Sequence, residues 1–167
     1  MMGYFWSYPP YVPTPENIVQ RMLEIAKVGP GDIVYDLGCG DGRILIQAVN
    51  NFGAKCAVGY EIKDERFELA SRKVAEAGLS ERITIRKENF FNAEIGNATV
   101  ITLYLTQATN DALKTKLSKE TRSGTRIVSH YFDIPEWKSD FIDEFGGRKV
   151  FLYITPRAFK RKPWKLF

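Results

Sequence analysis

The densest chemistry in this chain lies in Asp36-Leu37-Gly38-Cys39-Gly40-Asp41-Gly42-Arg43. Glycines at this spacing let a backbone turn tightly and approach a ligand without a Cβ in the way. The stretch follows the apolar run Ile33-Val34-Tyr35 and precedes an amphipathic one with Ile44, Leu45 and Ala48 inward, so it reads as a strand-to-helix turn. Open α/β sheets bind ligands at such carboxyl ends. A dinucleotide fingerprint, G-x-G-x-x-G, would need a glycine where Arg43 stands; here Gly42 arrives one residue early, which disfavours a nicotinamide or flavin site. Asp36 and Asp41 add negative charge that is awkward for a phosphorylated ligand and suits one carrying a cationic sulfonium and an α-amino group.

Glu61 closes the next strand-like run, nineteen residues after Gly42, where a carboxylate can accept both ribose hydroxyls of an adenosine. Asn89, Phe90 and Phe91 follow a third run and supply a hydrogen-bonding edge and apolar faces for adenine. Phe90 and Phe91 as plain core residues, and Asn89 as a turn former, stay open.

The elements needed to position these residues are legible as a rhythm. Thr14-Pro15-Glu16 opens a first helix, with the threonine hydroxyl expected to cap it, and Ile18, Met22, Ile25 and Ala26 recur at helical spacing up to Gly29-Pro30-Gly31. Strands are expected at 33–37, 55–61, 83–85, 98–105 and 125–129, and helices at 43–50, 64–77 and 108–117. Such alternation implies a mainly parallel, doubly wound α/β sheet. The segment 133–144 is too short for a long crossover, and Phe141-Ile142, Gly146-Gly147 and Val150 to Ile154 read as a hairpin that closes the sheet with an antiparallel pair.

At 167 residues and 44% hydrophobic content, one domain spanning 1–167 is the economical reading, with residues 1–14 an N-terminal cover and 156–167 a basic tail. The cover is rich in aromatics, Tyr4, Phe5, Trp6, Tyr8 and Tyr11, broken by prolines. No apolar run approaches the ~20 residues of a bilayer span, and the opening lacks the pattern of a signal peptide. A cytoplasmic protein is expected, with no membrane contact. Cys39 and Cys56 suggest no disulfide framework, and one histidine with two separated cysteines gives no metal spacing. The net charge of +4 is uneven: seven basic residues from Arg148 onward meet no acid there, leaving 17 basic against 20 acidic residues before them. The tail is either a solvated extension or a contact for nucleic acid or an acidic partner.

These residues together resemble the class I methyltransferases, and more closely the small archaeal protein-lysine methyltransferases of the non-SET, seven-strand type. The likeness runs from Tyr11-Val12-Pro13-Thr14-Pro15 through the glycine loop, Val58-Gly59-Tyr60-Glu61, Asn89-Phe90-Phe91 and Val100 to Thr106, to Gly124 through His130. It implies a three-layer, Rossmann-like fold with sheet order 3-2-1-4-5-7-6 and strand 7 antiparallel. It also implies S-adenosylmethionine as cofactor. The loop Gly38, Cys39, Gly40, Asp41, Gly42 and Arg43, with Asp36, would face the amino-acid portion, Glu61 the ribose, and Asn89 with Phe90 and Phe91 the adenine. Tyr11 and Thr14 would cover the methionine end. Such enzymes methylate exposed lysines on many partner proteins, and several modify themselves; a monomer is expected.

Methyl transfer is an in-line displacement at an activated carbon, so orientation, water exclusion and a neutral acceptor amine matter more than a covalent nucleophile. Candidates around the acceptor are Tyr8, Tyr11, Thr106, His130 and Tyr131; His130 reads equally as a packed, hydrogen-bonded residue. Leu103-Tyr104-Leu105-Thr106 stands where enzymes acting on adenine or glutamine amides commonly show Asp or Asn, two prolines and then an aromatic, and does not follow that pattern. RNA or other nucleic acid, and a small molecule, are the alternative acceptors; a binding module without activity is the non-enzymatic one.

Overall fold

The computed structural model describes residues 11–159, so Tyr8, the rest of the aromatic opening and the last eight residues of the expected tail lie outside the described residues. Chain order is α1 (Glu16–Ile25), β1 (Ile33–Leu37), α2 (Arg43–Asn50), β2 (Cys56–Tyr60), α3 (Asp64–Glu76), β3 (Ile83–Arg86), β4 (Val100–Leu103), α4 (Gln107–Glu120), β5 (Arg126–His130), β6 (Phe141–Phe145) and β7 (Arg148–Ile154). The strands form one seven-stranded sheet in the order β3-β2-β1-β4-β5-β7-β6. The pairs from β3 to β5 are parallel, and β7 is antiparallel to both β5 and β6. The hairpin reading holds: Gly146 and Gly147 join β6 to β7 with φ of 59° and 74°, the doubly left-handed turn that favours glycine.

Strand alternation divides the core between the two faces of the sheet. Val34, Ala57, Ile83, Val100, Val128 and Val150 meet the apolar sides of α1, α2 and α3. Tyr35, Leu37, Ile101, Leu103 and Ile127 meet Leu113 and Leu117 of α4, with Ile95, Ile134 and Ala158 from irregular segments filling the rest. The doubly wound expectation therefore holds with unequal layers.

Two local expectations give way to tertiary contacts. Thr14 does not cap α1: the N-cap is Pro15, without a side-chain cap, and the Thr14 hydroxyl lies 3.2 Å from His130 Nδ1. The expected tail begins inside the fold. Arg157–Phe159 forms a 3₁₀ turn in which Ala158 is buried, Phe159 packs on Trp137 at 4.5 Å between ring centroids, and Arg157 pairs with Asp140. Arg157 is thus opposed by an acid that sequence distance hid. At the amino ends of the strands, Asp32 accepts from Gly29 N at 2.9 Å and Thr99 Oγ1 at 2.8 Å and pairs with Arg126, joining β1, β4 and β5. Among the described residues, no helix is long and apolar enough to cross a membrane.

Gly59 sits where β2 passes under α2. A Cβ there would stand 2.5 Å from Leu45 Cδ1 and 2.7 Å from Cys39 Sγ. Overpacking of this kind costs about 1–3 kcal/mol. Gly59→Ala should therefore lower the melting temperature by roughly 4–8 °C for about 2 kcal/mol in a chain of this size, measured by calorimetry. An unchanged transition would show that α2 yields at no cost.

Candidate active site

The turn after β1 is built by hydrogen bonds to the end of β2. Gly38 N and Cys39 N both donate to Tyr60 O, at 3.0 and 2.9 Å, and Gly40 N donates to Glu61 Oε2 at 3.1 Å. Following the β2 backbone this closely requires left-handed conformations, φ of 81° at Gly38 and 56° at Gly40, which glycine adopts without a Cβ clash. Above the turn lies a cavity of about 590 Å³ at the carboxyl ends of the parallel strands.

Strand order divides the cavity. On the side of β2 and β3 it is lined by Glu61, Ile62, Glu88, Asn89, Phe90 and Phe91; on the side of β4 and β5, by Tyr104, Leu105, Thr106, Thr109 and Phe132. Asp36, Gly38, Cys39, Gly40, Asp41 and Arg43 form its floor, and Tyr11 through Thr14 its other wall. The Tyr11 ring lies against Gly40, where an added Cβ would be 2.7 Å from Tyr11 Cε2, and the Arg66 guanidinium sits over the ring, 4.8 Å from its centroid. Glu61 is buried; it also accepts from Lys63 N at 3.0 Å and has Arg66 Nε at 3.8 Å.

The two aspartates carry different charges. Burial raises the Asp36 carboxyl to about 7, against the lowering effect of a 2.8 Å hydrogen bond from Thr102 Oγ1, which the β1–β4 register sets opposite it. Burial also acts to raise Asp41, but hydrogen bonds from Arg43 and Lys73 outweigh it and bring the carboxyl to about 2. Its contacts, 2.8 Å to Arg43 Nη2 and 2.8 Å to Lys73 Nζ, neutralise the charge that the sequence suggested was turned toward a ligand. Asp36 is the acid that a bound cation could ionise. Burial pushes the Cys39 thiol well up, so it is a small packed group rather than a reactive one.

Other expected residues take structural positions. Gly42 is not among the lining residues; its φ of 82° and its packing against Ala70, 3.5 Å from an added Cβ, start α2. Arg43 lines the cavity, but its guanidinium is engaged by Asp41 and donates to Thr14 O at 3.2 Å, anchoring the N-terminal wall. Asn89 Oδ1 accepts from Phe91 N at 3.0 Å, which makes it a turn former and leaves its Nδ2 donor for a ligand edge. Phe90 and Phe91 are half-buried, with ring centroids 5.0 Å apart, and serve both wall and core. Thr106 caps α4, accepting from Thr109 N at 3.1 Å.

His130 stands outside the cavity lining, under Tyr104 with ring centroids 4.1 Å apart. Arg148 Nη1 donates to its Nε2 at 3.3 Å; a guanidinium has no acceptor, so the ring proton is on Nδ1 and points to Thr14 Oγ1. Burial, then the Arg148 charge, lower its pKa to about 4 and keep it neutral. That fits the packed, hydrogen-bonded alternative and not a base open to the cavity. Tyr131 is 53% exposed and also outside the lining. Tyr104, Phe132, Arg66 and Ile62 were missed as lining residues; the only local signal was an exposed-type apolar Ile62 directly after the buried Glu61.

A family model for the ANTKMT methyltransferase domain matches residues 36–141. A protein-lysine N-methyltransferase of Saccharolobus islandicus is 50% identical over 149 residues, covering 87% of this chain and 92% of that protein. The adenine nucleotide translocase lysine N-methyltransferase of Mus musculus is 29% identical over 86% of this chain, which spans 62% of that longer protein. The crystal structure of an RNA methyltransferase from Salinibacter ruber in complex with S-adenosyl-L-homocysteine has a TM-score of 0.85 and 38% identity, over 93% of this chain and 99% of that one.

The buried Asp36 ties stability to pH. The folded protein keeps this proton up to about pH 7, whereas an unfolded aspartate loses it near pH ~3.9. Its stabilising contribution is complete below the lower value and is lost as pH rises through about 7. Asp36→Asn cannot ionise, and should gain on the wild type by up to about 2.7 kcal/mol between about pH 5 and 8, at ~1.36 kcal/mol per unit. Denaturant unfolding of the two ligand-free proteins measures this. A difference that does not vary with pH would mean that Asp36 titrates as an ordinary aspartate.

Proposed function

The chain belongs to the ANTKMT methyltransferase domain family and is an S-adenosylmethionine-dependent methyltransferase, and we propose that it transfers methyl groups to lysine side-chain amines of proteins. The observation that carries this reading is the acceptor half of the cavity, whose walls are Tyr104, Leu105 and Phe132 with no charged side chain among them. Aromatic and aliphatic walls suit the long stem of lysine. They also exclude water, which favours the neutral amine over the ammonium that would otherwise dominate below its reference pKa near ~10.4.

The cofactor suits the donor half. Gly40 presents bare backbone, Glu61 a buried carboxylate, and Asp36 a carboxyl that can ionise beside a cation. When bound, S-adenosylmethionine supplies a methyl group on a positively charged sulfur, ready for displacement by a neutral amine. We assign Glu61 to the ribose hydroxyls, Asn89, Phe90 and Phe91 to adenine, and Asp36 with the Gly38–Gly40 backbone to the amino-acid end. Tyr11 closes over that end, steadied by Arg66. Tyr104 and Phe132 hold the acceptor stem, and Thr106 and Thr109, whose hydroxyls are 2.9 Å apart, offer polar contact to the amine. No general base is required of His130: the lysine ammonium gives up its proton to solvent before transfer, and the neutral amine then takes the methyl group as the methyl–sulfur bond breaks, leaving a methylated ammonium and S-adenosyl-L-homocysteine.

RNA as acceptor is the second reading, favoured by the Salinibacter ruber relative. Against it stands the state of the lining cations. Arg43 is 2.8 Å from Asp41 and Arg66 is 3.8 Å from Glu61, so neither is unpaired and ready to meet a phosphate. The test is incubation of the purified protein with isotope-labelled S-adenosylmethionine and a native extract, followed by mass spectrometry of protein and RNA fractions. N-methylated lysines are expected; label confined to RNA would replace the lysine reading. An acceptor-free control reads self-modification.

Cofactor affinity should depend on pH with a definite sign. A cationic ligand beside Asp36 favours its ionised form, so affinity should fall as pH drops below about 7, approaching tenfold per unit. Titration calorimetry across about pH 5.5 to 8 measures this. Asp36→Asn should bind more weakly and lose most of the dependence; an affinity that stays level with pH in the wild type would remove Asp36 from the cationic end.

A further inference from the structure

The turn that follows β5 is held in a costly conformation by groups with no part in binding the cofactor. Tyr131 has φ of 70°, a left-handed conformation that a bulky side chain rarely adopts. Its N–H donates to Lys149 O at 2.7 Å, and Phe132 N donates to His130 O at 2.9 Å. Behind the turn, Ser129 Oγ donates to Phe132 O at 2.6 Å. Asn110, fully buried on α4, donates through Nδ2 to Ser129 Oγ and Phe132 O at 3.3 Å each and to Asp133 O at 3.0 Å.

Asn110 is a poor choice for stability alone, because its buried Oδ1 meets no donor among the described residues. What it achieves is position. The consecutive carbonyls of Phe132 and Asp133, at the end of the turn, are fixed to α4, whose N-cap Thr106 and first-turn Thr109 belong to the cavity wall. The clamp therefore sets Phe132 against the acceptor half of the cavity and leaves Tyr131, in edge contact with Phe132 at 4.9 Å, 53% exposed beside it. The Thr14–His130 bond of 3.2 Å brings the N-terminal wall alongside, where Val12 is 49% exposed.

We propose that the turn His130–Asp133 receives the acceptor protein, with Tyr131 docking apolar side chains that flank the target lysine and Asn110 as the positioning residue that holds the turn. This rests on the lysine reading above for the class of acceptor. An aromatic ring fixed by a strained backbone meets a partner with little conformational freedom left to lose, which is how few residues can dominate an interface. The strain then serves acceptor recognition and not the fold.

Tyr131→Gly separates those roles. Glycine accepts the left-handed φ, so the variant should melt no lower than the wild type and should bind S-adenosylmethionine within about twofold of it, while the half-saturating concentration of acceptor rises about tenfold. The acceptor used is total protein from a nuclease-treated extract, varied in concentration, with label transfer as readout. Asn110→Ala should also raise the half-saturating concentration, with some loss of melting temperature and unchanged cofactor affinity. Tyr131→Gly with unchanged half-saturation overturns the proposal, as does a fall in cofactor affinity that accounts for the whole loss of rate. If the wild type labels RNA and no protein, both the lysine reading and this protein-docking role fail; wild-type labelling of protein with an indifferent Tyr131→Gly sinks the docking role alone.

Discussion

Three backbone donors after β1 and two acceptors at the end of β2 fix the centre of this molecule. Gly38 N, Cys39 N and Gly40 N cannot reach Tyr60 O and Glu61 Oε2 unless the chain turns left-handed at Gly38 and Gly40. That turn draws the start of α2 beneath the loop, and the same closeness forces Gly59 to lack a side chain. The bond to Glu61 also orients a buried carboxylate from the neighbouring strand before any ligand arrives. Preorganisation of this kind lowers the ordering cost of binding.

Electrostatics separates the acids of the loop by partner and not by sequence. Asp41 is balanced by Arg43 and Lys73, and its work is to hold α2, α3 and the N-terminal wall together. Among the described residues, Asp36 meets the Thr102 hydroxyl and the neighbouring acids Glu61 and Asp41, so its charge is costly until a cation compensates it. A sulfonium and an α-ammonium gain most from an acid of this kind, since acids already paired within the protein have little attraction left to offer. With a cationic ligand beside Asp36, as proposed above, the stability given up there would be returned as binding selectivity.

Most of the sheet was legible because its signals are local: alternation of apolar strands with helical periods, a glycine turn, a two-glycine hairpin. The acceptor half was not. Thr14 looked like a helix cap from its neighbours, yet its hydroxyl pairs with His130, far along the chain. Arg157 looked unopposed because Asp140 comes earlier and only folding brings it near. Tyr104 reads as one more strand-end aromatic, and its place over His130 follows from the pairing of β4 with β5. Asn110 looks like any polar residue of an amphipathic helix; its burial is decided by a turn that no periodicity announces.

The halves of the cavity are therefore built by different physics, and this bears on how selective each can be. The donor half is made of directed groups, backbone N–H and carboxylates at fixed distances, and a hydrogen-bonding site of this kind rejects analogues that leave its polar groups unpaired. The acceptor half is made of ring and aliphatic surface, Tyr104, Leu105 and Phe132, where one methylene more or less changes binding by only about 1–3 kcal/mol. Such walls can select for a slender stem that sheds water and for little else along it. Discrimination between acceptor proteins then falls to the rim beyond the stem, where Tyr131, outside the cavity lining, stands 53% exposed and Val12, at the edge of the lining, 49% exposed, and a partner's surface, not its lysine, makes the difference.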